Sequence, residues 1–153
     1  MIDKVSTDRP RIVVGVDGSE CSKTALAWAL TQARLTGAQI EAVTTWQEPA
    51  MYGFTYASAP GTFEGESISA LTEKVLRETV ADVAGTGGAP VEIVNRVVEG
   101  PPAQVLLRIA ADAQLLVVGT RGHGAFSGML LGSVSQHCVQ HAPCPVVVIP
   151  QRA

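Results

Sequence analysis

The stretch Leu115–Ser135, LLVVGTRGHGAFSGMLLGSVS, constrains most strongly what this chain can fold into. It opens with a short apolar run, Leu115–Val118, which predicts a strand buried on both faces. Glycines follow at positions 119, 122, 124, 128 and 132, and the pattern then becomes helical. A strand, a glycine-rich loop and a helix start in this order expose backbone N–H groups, which suit an anion such as a phosphate.

The rest of the chain alternates short apolar runs with segments of helical spacing. The predicted strands are 11–17, 39–46, 91–98, 115–118 and 146–149. The predicted helices start at 19–21, 67, 101–102 and about 129, and the first and last of them end at Thr36 and His141. This alternation predicts an α/β fold: an open five-stranded parallel sheet with right-handed crossovers and helices on both faces.

Length and composition predict one packed domain. The chain has 153 residues, of which 46% are hydrophobic and 16% charged, so residues 11–150 should form a single core behind a flexible tail at 1–10. The segment 47–66 carries two prolines and four aromatic residues without helical or strand periodicity. It predicts an irregular loop that either covers a ligand or partner or packs on its own surface.

Charge and cysteine content exclude several classes of partner. A net charge of -3 and a pI near 5.5 argue against nucleic acid or an anionic membrane as the main partner. No apolar run approaches the roughly 18 residues that span a bilayer, and the first ten residues do not resemble a signal peptide. Three cysteines without metal-binding spacing suit a reducing cytoplasm, where we expect the protein to reside.

The spacing Gly119-x2-Gly122-x9-Gly132-Ser133 resembles the nucleotide-binding signature of the universal stress protein family, in its ATP-binding branch. The segments IVVGVDGSE near the N-terminus and HAPCPVVVIP near the C-terminus are also typical of that family, so the resemblance covers residues 11–150. It implies a Rossmann-like sheet of strand order 3-2-1-4-5, with ATP and Mg²⁺ as the ligands.

In that order, the first and fourth strands are neighbours, and ligands bind where the strand order reverses. Asp17 can accept from a ribose hydroxyl or hold Mg²⁺ through water, or it caps the next helix. By resemblance, Gly15, Val16 and Thr45 line the adenine pocket. Arg121 lies inside the predicted glycine-rich loop, where its positive charge can approach the phosphate oxygens. The expected cofactor-binding residues are Gly15, Val16, Asp17, Ser19, Thr45, Val118, Gly119, Arg121, Gly122, Gly132, Ser133, Val134 and Ser135.

His137 and His141 lie four residues apart on the last predicted helix. The motif lacks the glutamate of a zinc-protease helix and any obvious third ligand, so the sequence does not predict a zinc site.

The sequence contains neither a P-loop lysine motif nor a recognisable nucleophile–base pair or general base for the γ-phosphate. We therefore expect a nucleotide-dependent regulatory protein that hydrolyses ATP slowly or not at all. The alternatives are a cyclic-AMP-binding or slowly ATP-hydrolysing relative, an adenylating enzyme and a nucleotide-independent interaction module. Val146–Ile149 should be an edge strand, and the resemblance implies a homodimer through it, besides an unknown protein partner.

Overall fold

The computed structural model describes residues 9–48, 67–85, 90–120 and 131–151. In these residues, strands and helices alternate along the chain. The strands are β1 (Arg11–Gly15), β2 (Gln39–Trp46), β3 (Ile93–Glu99), β4 (Leu115–Gly119) and β5 (Val146–Ile149). The helices are α1 (Glu20–Thr36), α2 (Ile68–Ala84), α3 (Pro102–Ile109) and α4 (Ser133–His141), and a short 3-10 turn, Ala110–Asp112, follows α3.

The five strands form one sheet in which every neighbouring pair is parallel. Their order is β3-β2-β1-β4-β5, so β1 is central and β3 and β5 are the edges. The α/β prediction and the strand order implied by the family resemblance are both confirmed. No helix in the described ranges is both long and apolar enough to cross a membrane.

Local capping explains where two of the helices begin. The Ser19 hydroxyl accepts from the Ser22 N–H at 3.2 Å and starts α1, and the Ser67 hydroxyl accepts from the Ala70 N–H at 3.0 Å and starts α2. Gly37, with φ of 78°, ends α1 in a left-handed conformation.

Several strand and helix boundaries differ from the sequence prediction. β3 spans Ile93–Glu99 rather than 91–98, and β4 ends at Gly119 rather than at position 118. β1 ends at Gly15 rather than at Asp17, because Asp17 leaves the ladder and turns back to bond with Ser19. α4 begins at Ser133 rather than near position 129: Gly132 has an extended backbone with φ of -76° and ψ of 174°. Residues 129 and 130 themselves lie outside the described residues.

The central strands of the sheet are buried on both faces, and each face has its own core. On one face, Ile12 and Val14 of β1 pack with the buried sides of α1 and α2. On the other face, Val13 of β1 packs with Val105 and Leu106 of α3 and with Cys138 of α4. Alternate residues of a strand point to opposite faces, so the apolar run in β1 serves both cores.

Helical spacing predicts one apolar stripe along α2, formed by Ile68, Leu71, Val75, Leu76, Val80 and Val83, and the structure buries this stripe only in part. Leu76, Val80 and Val83 enter the core, whereas the side chains of Leu71 and Val75 are 38% and 46% exposed. Helical periodicity identifies an apolar face, but it does not determine how far along the helix that face is covered.

One carboxylate is buried within the sheet between two cations. Glu41 of β2 is 6% exposed and contacts Arg11 of β1 and Arg96 of β3, the latter at 2.6 Å. The Arg11 guanidinium also donates to the Ile109 carbonyl at 3.1 Å. These contacts cross three neighbouring strands, and they satisfy a charge that would be costly to bury alone.

We predict that Glu41→Ala destabilises the fold by about 1.5–3 kcal/mol, the usual worth of hydrogen bonds to a charged group. Glu92→Ala is the matched control, because it removes the exposed ion pair with Arg9 and should cost at most about 1 kcal/mol. Urea unfolding measures both, and equal losses would contradict a special role for the buried carboxylate.

Candidate functional site

The carboxyl ends of β1 and β4 lie side by side at the centre of the sheet. Val14 pairs with Val117, so the residues that follow each strand leave from adjacent positions. The chain continues from β1 into α1 on one face and from β4 towards α4 on the other face. The strand order reverses between β1 and β4, and open α/β sheets bind ligands in the crevice outside the carboxyl ends of the strands at such a point.

The first wall of this crevice is the turn between β1 and α1. The Asp17 carboxylate accepts from the Ser19 N–H at 2.9 Å and from the Ser19 hydroxyl at 2.6 Å. Asp17 is exposed at this edge of the sheet, and its own N–H donates to the Ser22 hydroxyl at 3.3 Å. Asp17 therefore orders the residue that caps α1, while its carboxylate remains at the solvent boundary.

Val16 is fixed between β1 and β2 through its main chain. Its N–H donates to the Val43 carbonyl at 2.8 Å, and its carbonyl accepts from the Thr44 hydroxyl at 2.7 Å. Thr45, the next residue of β2, is half-buried and pairs with Val98 of β3. The sequence pattern did not predict a role for Thr44. The feature that could have identified it is a hydroxyl group near the carboxyl end of the otherwise largely apolar strand β2.

Gly119 ends β4 directly against the first turn of α1. A Cβ atom at this position would lie 2.6 Å from the Cys21 Sγ atom and 3.1 Å from the Cys21 Cβ atom. The Cys21 thiol is also 3.5 Å from the Ile149 carbonyl, to which it donates, and 3.7 Å from the Thr120 hydroxyl. Cys21 thus joins α1 to the ends of β4 and β5, and only glycine fits opposite it.

Gly15 makes a similar close contact on the opposite face of the sheet. A Cβ atom there would lie 3.0 Å from Leu106 Cδ1 of α3 and 3.5 Å from Val118 Cγ1 of β4. Gly15 therefore allows α3 to approach the carboxyl end of β1, so two of the predicted site glycines have a packing role.

The second wall is the N-terminus of α4, which has no side-chain cap. Gly132 is in the capping position, and it has no side chain that could accept from the first-turn N–H groups. The Gly132 N–H donates to the Thr120 carbonyl at 2.6 Å, which ties this helix end to the exit of β4. Ser133 is exposed at the first helical position. The helix end thus offers N–H groups, a hydroxyl and the positive end of a dipole at the crevice.

Ser135 and Val134 point away from this opening. Ser135 is 2% exposed, and its hydroxyl lies 2.9 Å from the Thr120 carbonyl and 3.1 Å from the Gly132 carbonyl, within donating distance of both. The Val134 side chain packs against the core beneath α4. Both residues can offer a ligand their backbone N–H groups, whereas their side chains position the helix.

The structure brings together Gly15, Val16, Asp17, Ser19, Thr45, Val118, Gly119 and Gly132–Ser135 at the carboxyl edge of β1, β2 and β4. Arg121 and Gly122 lie outside the described residues, as do His123 and the aromatic residues of the predicted loop 47–66.

Two of the described thiols, those of Cys138 and Cys144, are poor nucleophiles. Burial, and secondarily the nearby Cys144, raise the pKa of Cys138 to about 11, and burial also raises the pKa of Cys144, against the opposing effect of Arg11. Protonated thiols do not attack an acyl or phosphoryl group at neutral pH. The described ranges also contain no group of three or more metal-ligating side chains.

An open cleft of about 600 Å³ lies beside the crevice, between α1 and α2. Its lining includes Gly18, Val75 and the Lys23–Asp82 ion pair, whose nitrogen and oxygen are 3.7 Å apart. This cleft borders the turn after β1, but it does not lie between β1 and β4.

We predict that Gly119→Ala destabilises the fold by about 1–3 kcal/mol through overpacking against Cys21. Cys21→Gly in the same chain removes the clashing thiol and should recover part of that loss, so the two changes are not additive. Thermal unfolding of the double-mutant cycle measures this coupling.

Gly37→Ala provides the control for that cycle. It is strained by its φ of 78° but has no neighbour within 4 Å, so its cost should not depend on Cys21. Additive losses for Gly119→Ala and Cys21→Gly would show that the contact does not restrict position 119.

Comparison with known proteins identifies relatives along nearly the whole chain. The model of the universal stress protein family matches residues 9–150. Universal stress protein Rv1996 of Mycobacterium tuberculosis is 34% identical over 151 residues, covering 92% of this chain and 48% of that protein. The chain therefore spans about half the length of the curated relatives it matches.

Solved structures share the fold. A universal stress protein in complex with cAMP is 28% identical, with a TM-score of 0.64, covering 93% of this chain and 97% of that one. The universal stress protein UspA from Lactobacillus plantarum is 24% identical, with a TM-score of 0.71 and coverage of 92% and 97%.

Proposed function

Because this chain belongs to the universal stress protein family, we propose that it binds an adenine nucleotide, ATP with Mg²⁺, in the crevice between β1 and β4. The observation that carries the proposal is the uncapped N-terminus of α4 opposite the ordered turn at Asp17. An uncapped helix end favours an anion, and a carboxylate and hydroxyls on the other wall suit a sugar or a hydrated cation.

Each wall has a separate role in this proposal. Asp17 accepts from the ribose or holds Mg²⁺ through water, and Gly15, Val16 and Thr45 line the adenine pocket, as the family resemblance implies. The glycine-rich connection and the start of α4 hold the phosphates. That second group comprises Gly119, Arg121, Gly122, Gly132, Ser133 and the backbone N–H groups of Val134 and Ser135.

We propose a regulatory role with little or no hydrolysis. Among the described residues of the crevice there is no histidine or lysine, and the Asp17 carboxylate is already engaged with Ser19. Fast transfer of a γ-phosphoryl group to water needs a residue that orients the attacking water. Nucleotide occupancy would instead order the crevice and alter binding to a protein partner in the cytoplasm.

Cyclic AMP is the second candidate ligand. It is favoured by the solved relative in complex with cAMP, at 28% identity. Its single phosphate carries less charge than a triphosphate and needs fewer N–H donors. A negative charge introduced at the start of α4 should therefore weaken the binding of ATP more than the binding of cyclic AMP.

We predict that ATP at about 100 times its Kd raises the Tm by roughly 5–10 °C, the equivalent of about 2.7 kcal/mol. Ser133→Glu should leave the ligand-free protein as stable or slightly more stable, because an acidic residue suits a helix N-terminus. The same carboxylate repels phosphate, so the affinity for ATP should fall by about tenfold or more, or 1.4 kcal/mol. A thermal-shift panel of ATP, ADP, AMP and cyclic AMP, with and without Mg²⁺, measures these effects.

Gln140→Glu is the matched control. It adds the same charge to an exposed position of the same helix, about 10 Å further along its axis, and should leave ATP affinity nearly unchanged. A larger shift for cyclic AMP than for ATP would favour the second candidate. An unchanged Tm with every nucleotide would contradict nucleotide binding. The remaining alternative would then be a nucleotide-independent interaction module.

We also propose a homodimer through the free edge of β5. The Pro145 and Ile149 carbonyls accept from the N–H groups of Leu116 in β4 and of Thr120 directly after it. The main-chain groups of the alternate residues Val146 and Val148 therefore face outward. A homodimer would contain two such domains, and this chain spans about half the length of the curated relative.

We predict that Val148→Pro weakens the dimer, because proline removes an outward N–H group without breaking a bond to β4. Sedimentation velocity should show a shift towards monomer, while circular dichroism stays unchanged. Asn95→Pro on the opposite edge strand, β3, is the control. The Glu92 carbonyl and the Gly100 N–H bond to β2, so the main-chain groups of the exposed Asn95 also face outward. An unchanged association state for Val148→Pro would place the interface elsewhere.

A further inference from the structure

Two imidazoles stand next to each other on the exposed side of α4. His137 and His141 are four residues apart, and their ring centroids are 4.7 Å apart with the ring planes tilted by 43°. Residues at this spacing are neighbours on a helix surface. Ser135 and Cys138 form the buried side of α4, so the core does not cover the histidine pair.

Neither imidazole is engaged elsewhere in the described part of the chain. No described residue makes a hydrogen bond or an ion pair with either ring, and each ring contacts the other. The rings are tilted rather than stacked face to face, so rotation about the side-chain bonds can bring one nitrogen of each towards a common point.

The position along the helix also favours a cation. His141 is the last residue of α4, where the carbonyl groups of the final turn form the negative end of the helix dipole. The opposite end of the same helix, at Ser133, is about 12 Å away along the axis. A cation bound by the histidine pair would therefore be separate from an anion bound at the start of α4.

We propose that His137 and His141 form a two-ligand surface site for a divalent transition-metal ion, with Cu²⁺ preferred over Ni²⁺ and Zn²⁺. Imidazole suits these metals, and for a given set of ligands the affinity rises to a maximum at Cu²⁺. No third metal-ligating side chain joins the pair among the described residues, so water completes the coordination. A structural or catalytic zinc site would need three or four protein ligands.

The test is a titration of the untagged protein with Cu²⁺, followed by tryptophan fluorescence and electron paramagnetic resonance. We expect one tight equivalent whose spectrum shows two coordinated nitrogens. His137→Gln and His141→Gln should each weaken binding by at least about tenfold. Both residues are exposed, so circular dichroism should show that the variants fold normally.

A matched control keeps the number of histidines constant. His137→Gln combined with Gln136→His leaves the two imidazoles five residues apart, on different sides of the helix, and should bind as weakly as the single variants. Cys144→Ser should leave the tight equivalent in place, since a thiol is not part of the site. Full binding by the rearranged pair, loss of binding in Cys144→Ser, or a spectrum with one nitrogen would overturn the proposal.

Discussion

The parallel pairing of β1 with β4 is the constraint on which the rest of the structure depends. It makes β1 central, so β2 and β4 flank it and the strand order reverses at this pair. The helices that follow β1 and β4 in the described residues, α1 and α4, lie on opposite faces of the sheet. Both cores and the crevice follow from this single pairing, because a strand buried on both faces serves two layers of helices.

Close backbone packing maintains that junction. Cys21 lies against Gly119, and its thiol reaches the ends of β4 and β5, while Ser135 ties the start of α4 to Thr120. These contacts position main-chain groups rather than reactive side chains. A site built in this way suits recognition of a charged ligand by N–H groups and a helix end, and it offers little for acid–base chemistry.

The two ends of α4 illustrate how one helix can hold two different charges. Its N-terminus lacks a cap and faces the crevice, whereas its C-terminus carries an exposed pair of imidazoles. The helix dipole favours an anion at the first and a cation at the second. Binding at one end need not alter the other, because the roughly 12 Å between them is longer than the Debye length at physiological salt.

Local pattern was enough to predict the α/β fold and the bounds of β2 and β5, because period and punctuation are encoded by neighbouring residues. The strand order came from the family resemblance of the glycine motif, and not from periodicity. Only the tertiary structure showed that Cys21 restricts position 119, that Ser135 points inward, that Glu41 lies between two arginines and that Leu71 and Val75 stay exposed. Each of these facts depends on a contact between residues distant in the chain or on which neighbour covers a face, and a local sequence pattern carries no information about either.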